Sequence, residues 1–196
     1  MTASLPNTPP SYWAGYPVPE MRAESLYGDR GFARQVSCFT PRPSRFYDLF
    51  AQAVVNRPDH DALLFEGQRW SYRQCQQIVA GMAAGFADQG LRKGERVILF
   101  VDNRPEFIWV LLALQRLACI VVPVGVREQR PGLAYIARQS GASAIVTDAD
   151  LVDRVPDAHE APALRLRVLV GAAKPKTPDF IALNSIFTRA TGVFYS

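Results

Sequence analysis

Apolar residues recur at helical spacing from Phe46 onward: in FYDLFAQAVV, Phe46, Leu49, Phe50, Ala53 and Val54 would share one face, and Pro58 ends the helix. Two short apolar runs, ALLFEG and QRWSY, then meet at Glu66-Gly67, a pattern for a small hairpin. Ser71 followed by Gln74 has capping-box spacing, and Cys75, Ile78, Val79, Met82 and Phe86 form the buried face of the helix it opens, with Gly90 as the stop. Gly81 and Gly85 inside that helix each cost up to about 1 kcal/mol of propensity relative to alanine, so close packing against a sheet is the expected compensation.

From Arg96 the pattern alternates. VILFV reads as a buried strand; Asn103-Arg104-Pro105-Glu106 reads as a cap for a helix running through Leu117; Cys119 to Val124 is the next buried strand. Pro131 opens a helix that stops at Gly141, and Ala144 to Thr147 forms a short strand ending in Asp148. Further apolar runs lie at Leu166 to Val170 and near Phe180 to Phe187. Strand, helix, strand, helix, strand with short joints is the βαβ signature. The expected fold class is therefore α/β, a mainly parallel sheet with helices on both faces. In it Val97–Val101, Cys119–Val124 and Ala144–Thr147 are neighbours, Trp109 and Leu112 lie inside, and Arg104 and Glu106 sit near solvent.

The first 43 residues hold seven of the fifteen prolines, interleaved with Gly15, Gly28, Gly31 and aromatics. Residues 1–45 are expected to be an irregular proline-rich arm without its own core, pinned by Tyr12, Trp13, Tyr16 and Phe32, and residues 46–196 to be the α/β body.

Composition narrows the function classes. The 196 residues are 48% hydrophobic and 20% charged, enough to bury a core. The 22 basic and 18 acidic residues leave only +4, without a block of like charge, so no nucleic-acid partner is expected. Cys38, Cys75 and Cys119 are odd in number and lack CxxC spacing, and the opening MTASLPNTPPSYW has neither a basic nor an apolar signal region; both features point to a cytoplasmic setting. The apolar stretch from Phe107 to Val126 is interrupted by Gln115, Arg116 and Pro123, and reads as a buried helix and strand instead of a transmembrane segment.

The chemistry of a site is sparse. His60 and His159 are isolated in loops, no GxSxG elbow is present, and neither GxGxxG nor GxxxxGK[ST] occurs. Ser140-Gly141-Ala142-Ser143 is read as a helix stop. Asp102 and Asp148 stand at strand ends, where ligands bind open parallel sheets, and with Asn103 they face a plausible site; an ordinary capped joint is the alternative. Other carboxylates are Asp59, Asp61, Glu66, Glu106, Asp150 and Asp153, and Arg127, Arg130 and Arg154 follow element ends, either solvated or facing an anion.

Four linked segments carry more: FYDLF (Phe46 to Phe50), NRPDHDALLFEGQRWSY (Asn56 to Tyr72), GLRKGERVILFVDNRPEFIWVLLALQRLACIVVPV (Gly90 to Val124) and YIARQSGASAIVTD (Tyr135 to Asp148). In order and spacing, over about Phe46 to Val170, they resemble the N-terminal region of AMP-forming acyl-CoA synthetases, the adenylate-forming acyl- and aryl-CoA ligase superfamily. The resemblance implies a two-domain enzyme that uses ATP, Mg2+ and coenzyme A to convert a carboxylic acid to its acyl-adenylate and then to a thioester. It also implies that the nucleotide-binding motifs lie beyond this stretch: RATGV holds Thr191 and Gly192 but lacks the serine-glycine run and lysine of the family's phosphate loop.

The chain is thus expected to be the inactive opening part of such a ligase, truncated before the nucleotide site, with no catalytic or metal-binding residue of its own. Its partners would be the remainder of the synthetase and the acid substrate. Surface uncovered by the truncation would favour weak self-association. By the same resemblance Gly125, Arg127 and Arg154 are the candidates to face coenzyme A, the cations suiting its phosphates. A stand-alone α/β binding or interaction module without catalysis is the competing reading.

Overall fold

A strand that is apolar at consecutive positions is fully buried only between two layers, and that is where the chain puts Val97 to Phe100 and Ala144 to Val146. The computed structural model describes residues 20–27, 33–40, 42–171 and 178–186. They fall into two units, residues 1–44 and 45–196. The first unit contains an antiparallel pair, β1 (Glu20–Tyr27) and β2 (Ala33–Thr40), in register from Glu20 opposite Thr40 to Tyr27 opposite Ala33. The arm is therefore not irregular over these residues: ladder hydrogen bonds supply local order that a proline count does not reveal. Tyr12, Trp13, Tyr16 and Phe32 lie outside the described residues.

The second unit opens with α1 (Phe46–Asn56), followed by the hairpin β3 (Asp61–Phe65) and β4 (Gln68–Ser71). Glu66 and Gly67 both have positive φ, 46° and 79°, as a tight two-residue hairpin turn requires. Helix α2 (Tyr72–Asp88) starts at the expected capping box: the Gln74 N–H donates to Ser71 Oγ and the Ser71 N–H to Gln74 Oε1. Then follow β5 (Arg96–Phe100), α3 (Pro105–Arg116), β6 (Ile120–Pro123), α4 (Arg130–Ser140), β7 (Ala144–Asp148), a 3-10 turn over Ala149–Arg154, β8 (Leu166–Val170), β9 (Ile181–Ala182) and a 3-10 turn at Leu183–Ser185.

Strands β5 to β9 form one parallel sheet in the order β6-β5-β7-β8-β9. Alternate residues point to opposite cores. Val97, Leu99, Ala144, Val146 and Val168 pack with α2 and α3 on one face; Ile98, Phe100, Ile145 and Leu169 pack with Leu133 and Ala137 of α4, and with Leu151, on the other. The α/β expectation with helices on both faces holds, and Trp109 and Leu112 lie inside.

Four local expectations are corrected. On α1 the buried stripe is Tyr47, Phe50, Ala51 and Val54, while Phe46 and Leu49 are 58% and 51% exposed. Periodicity identifies a helix, but two adjacent faces were apolar and only packing chooses between them. Strand β6 is an edge, with Ile120 53% exposed, and is not buried throughout; Pro123 leaves that edge one N–H fewer for pairing. Helix α3 is capped by Arg104 in extended conformation with Pro105 in its first turn, and has no Asn103 side-chain cap. Gly85 of α2 faces not a strand but the turn after β9: a Cβ there would lie 1.6 Å from the Ile186 carbonyl oxygen.

Candidate functional site

The sheet order has one reversal. From β5 the chain moves outward to β6, then returns across to β7 on the other side of β5, so the ends of β5 and β7 border the crevice where open parallel sheets receive ligands. A cleft of about 440 Å³ lies there. Its apolar wall comes from Phe65 and Trp70 of the hairpin and Trp109 of α3. The two indoles meet edge to face, 5.3 Å between centroids at 81°.

Its polar wall is built by the two strand ends and the start of α3. Asp148, only 4% exposed, accepts the Asp102 N–H on Oδ2 at 2.7 Å and Arg104 Nη1 on Oδ1 at 2.9 Å. The other side of the same guanidinium grips Glu106 with two bonds, Nε to Oε2 at 2.9 Å and Nη2 to Oε1 at 3.1 Å. Burial works against the Arg104 charge, but the bonds from Glu106 and Asp148 outweigh it and raise its pKa above the ordinary arginine value. Arg104 and Glu106 stand at the helix start near solvent, as expected from sequence, but as half-buried partners joined in one network. Behind the wall, burial pushes the Cys75 thiol up, offset in part by the Trp109 side chain.

The cleft is acidic. Glu66, Asp102, Glu106, Asp148 and Asp150 line it against Arg104, the one cation among the described residues that line it, which is already shared by two of them. At the start of α3, where a helix would offer N–H groups to an anion, Pro105 lacks the N–H and Glu106 supplies a negative charge of the chain itself. The start of α4 is similar: Pro131 stands in its first turn and the Glu128 carboxylate accepts the Gln129 N–H. These residues do not fit a nucleotide triphosphate. Among the described residues no three His, Cys, Asp or Glu side chains gather closely enough for a metal ion.

Asp102, Asn103 and Asp148, picked out from their positions at strand ends, do line this cleft. Gly125, Arg127 and Arg154 come together elsewhere, around the turn after β6. The Glu128 N–H donates to Gly125 O, and half-buried Arg154 donates to Val126 O at 2.6 Å and Glu128 O at 3.4 Å, bracing the turn. Gly125 and Arg127 are exposed there. Nearby Arg130 is paired with Asp157 and Glu160. RATGV lies outside the described residues. Sequence reasoning missed Phe65 and Trp70 as cleft residues, because a hairpin far along the chain carries no local mark of what it leans on; the mixed acidic and aromatic composition of Phe65 to Trp70 was the available signal.

Comparison with known proteins gives a consistent set of likenesses. The profile of the AMP-binding enzyme family, described as "AMP-binding enzyme", matches residues 50–184. A crotonobetaine/carnitine–CoA ligase of Escherichia coli O139:H28 is 34% identical over 99 residues, which is 50% of this chain and 19% of that protein. The ligase of the same name from Salmonella arizonae is 38% identical over 96 residues, 46% of this chain and 19% of its own length. Among solved structures, Mycobacterium smegmatis MbtA is similar over 76% of this chain and 28% of its own, with a TM-score of 0.66 and 25% identity. An anthranilate CoA ligase, AuaEII, bound to anthranoyl-AMP shares the fold over 74% of this chain and 28% of its own, with a TM-score of 0.67 and 18% identity. The chain thus spans about a fifth of the length of the curated relatives it matches.

Proposed function

The chain belongs to the AMP-binding enzyme family, and on that premise we propose that it is the N-terminal portion of an acyl- or aryl-CoA ligase, forming acyl-CoA, AMP and pyrophosphate from a carboxylic acid, ATP and coenzyme A. The observation that carries this reading is the family match over residues 50–184, which runs through the hairpin, the helices and the parallel sheet. The likeness to ligases of that chemistry supports it.

This portion acts as scaffold. Its carboxylate-lined cleft repels a polyphosphate, so ATP, with the Mg2+ that accompanies its phosphates, is held by residues outside the described set, and this chain alone is inactive in adenylation. Its partners are the rest of the ligase and the acid substrate, in the cytoplasm. Coenzyme A, with its phosphates, is met at the turn around Gly125, where Arg127 is exposed and Arg154 holds the backbone in place. The experiment is carboxylate-dependent exchange of pyrophosphate into ATP over fatty and aryl acids, run with this chain and with a longer product of the same reading frame. Exchange is expected from the longer protein alone. Exchange by this chain would overturn its assignment as inactive. Absence of exchange from a folded longer protein would overturn the ligase reading and favour a stand-alone module.

A further inference from the structure

Two parts of the cleft wall and the exit of a neighbouring strand, distant from one another in sequence, meet at one side chain. Arg104 holds Asp148 at the end of β7 and Glu106 in the first turn of α3. It also lies across Gly171, the residue that leaves β8: a Cβ built there would be 3.1 Å from Nη1, 3.5 Å from Nη2 and 3.7 Å from Cζ. Gly171 has φ +77°, in the left-handed region, so both its backbone conformation and the approach of the guanidinium favour a residue without a side chain. Asp148 in turn holds the N–H of Asp102, so the ends of β5 and β7 are tied through the same carboxylate.

We propose that Arg104 is a positioning residue, a latch that sets the exit of β8 against the start of α3 and so fixes the shape of the acidic cleft. This role does not depend on the ligase reading. Lysine cannot replace it, because a single ammonium cannot hold two carboxylates in a planar fork while lying across a glycine. Loss of the latch frees the rim and leaves α2 and the β3–β4 hairpin in place, since the bonds of Arg104 and Asp148 run to the ends of β5 and β7 and to the first turn of α3.

Two measurements on the whole chain test this. In hydrogen exchange read by mass spectrometry, Arg104→Lys is expected to speed exchange about tenfold or more at the ends of β7 and β8 and in the first turn of α3, with α2 unchanged. Unchanged exchange at the rim, or a uniform rise across the chain, would overturn the proposal. The second is a double-mutant cycle with Gly171→Ala in the native and Arg104→Gln backgrounds. The φ strain of the added methyl group is common to both backgrounds and cancels, so the loss in folding equilibrium constant is expected to be at least about fivefold smaller when Arg104 is absent. Equal losses would show that the guanidinium does not press on Gly171 and would overturn the latch. If Arg104→Gln does not fold, the cycle is run against Arg104→Lys, with the same expected sign.

Discussion

Gly85→Ala puts the packing of α2 to a direct test. On helix propensity alone the change should stabilise the chain, by up to about 1 kcal/mol. The structure says otherwise. The new Cβ would stand 1.6 Å from Ile186 O and 2.7 Å from Ile186 C, both backbone atoms that cannot rotate away. Ordinary contact lies near 3.5 Å, so the turn over Leu183–Ser185 and Ile186 must retreat by about 2 Å. That turn anchors Leu183 and Ile186, 2% and 5% exposed, in the same core as Phe86 and Val168. Each is worth about 1.5–3 kcal/mol when fully buried.

Partial release of the two residues, set against the propensity gain, leaves a net destabilisation of about 2–4 kcal/mol. At an m-value of about 2 kcal/mol/M, the urea midpoint falls by about 1–2 M. Gly125→Ala is the control: its backbone is outside the left-handed region and nothing stands within 4 Å of the added carbon, so a change within about 0.5 kcal/mol is expected. A Gly85→Ala midpoint equal to or above that of the native chain would refute the close approach of α2 to the turn after β9.

Ala118→Gly should raise the urea midpoint, by up to about 1 kcal/mol in stability, because Ala118 has φ 57° in the Schellman end of α3, where the Cys119 N–H bonds Leu114 O and the Ala118 N–H bonds Gln115 O. Acid should destabilise the chain. Burial pushes the Glu95 carboxyl up, but bonds from Arg165, the Arg92 N–H and Ser143 outweigh it, and Arg130 lowers Glu160, so both lie below the ordinary value of 4.5. Stability held above that value is then lost as pH falls through the lowered folded pKa, and Glu95→Gln should lessen the fall in thermal midpoint between pH 6 and pH 3. A thiol reagent at pH 8 should react first with half-buried Cys38, while Cys75 and Cys119, buried and with thiols pushed up by burial, react only on unfolding. Three equal rates in the native chain would contradict the burial.

Much of the body was legible along the chain because its signals are local. Ser71 and Gln74 are three residues apart and need only each other to cap α2. Gly141 stops α4 by adopting φ 60° itself. Continuous apolar runs at Val97 to Phe100 of β5 and Ala144 to Val146 of β7 announce burial on both faces whatever covers them. Asp102 and Asp148 could be placed at a site because strand ends in a parallel sheet all open on one side.

What the sequence by itself determined, then, was the order of the elements from α1 to β8, the caps of α2 and α4, and the α/β class, all written in short local spacings. The tertiary structure decided the rest. It made β6 an edge, chose Tyr47 over Phe46 as the buried side of α1, set Gly85 against a turn about a hundred residues away, and turned Arg104 from a helix-start charge into the link between Asp148, Glu106 and Gly171. The physical reason is that each of these depends on which surfaces meet. Dispersion, close approach and shared hydrogen bonds act over a few ångströms in space, and chain spacing carries no record of that distance until the sheet has assembled.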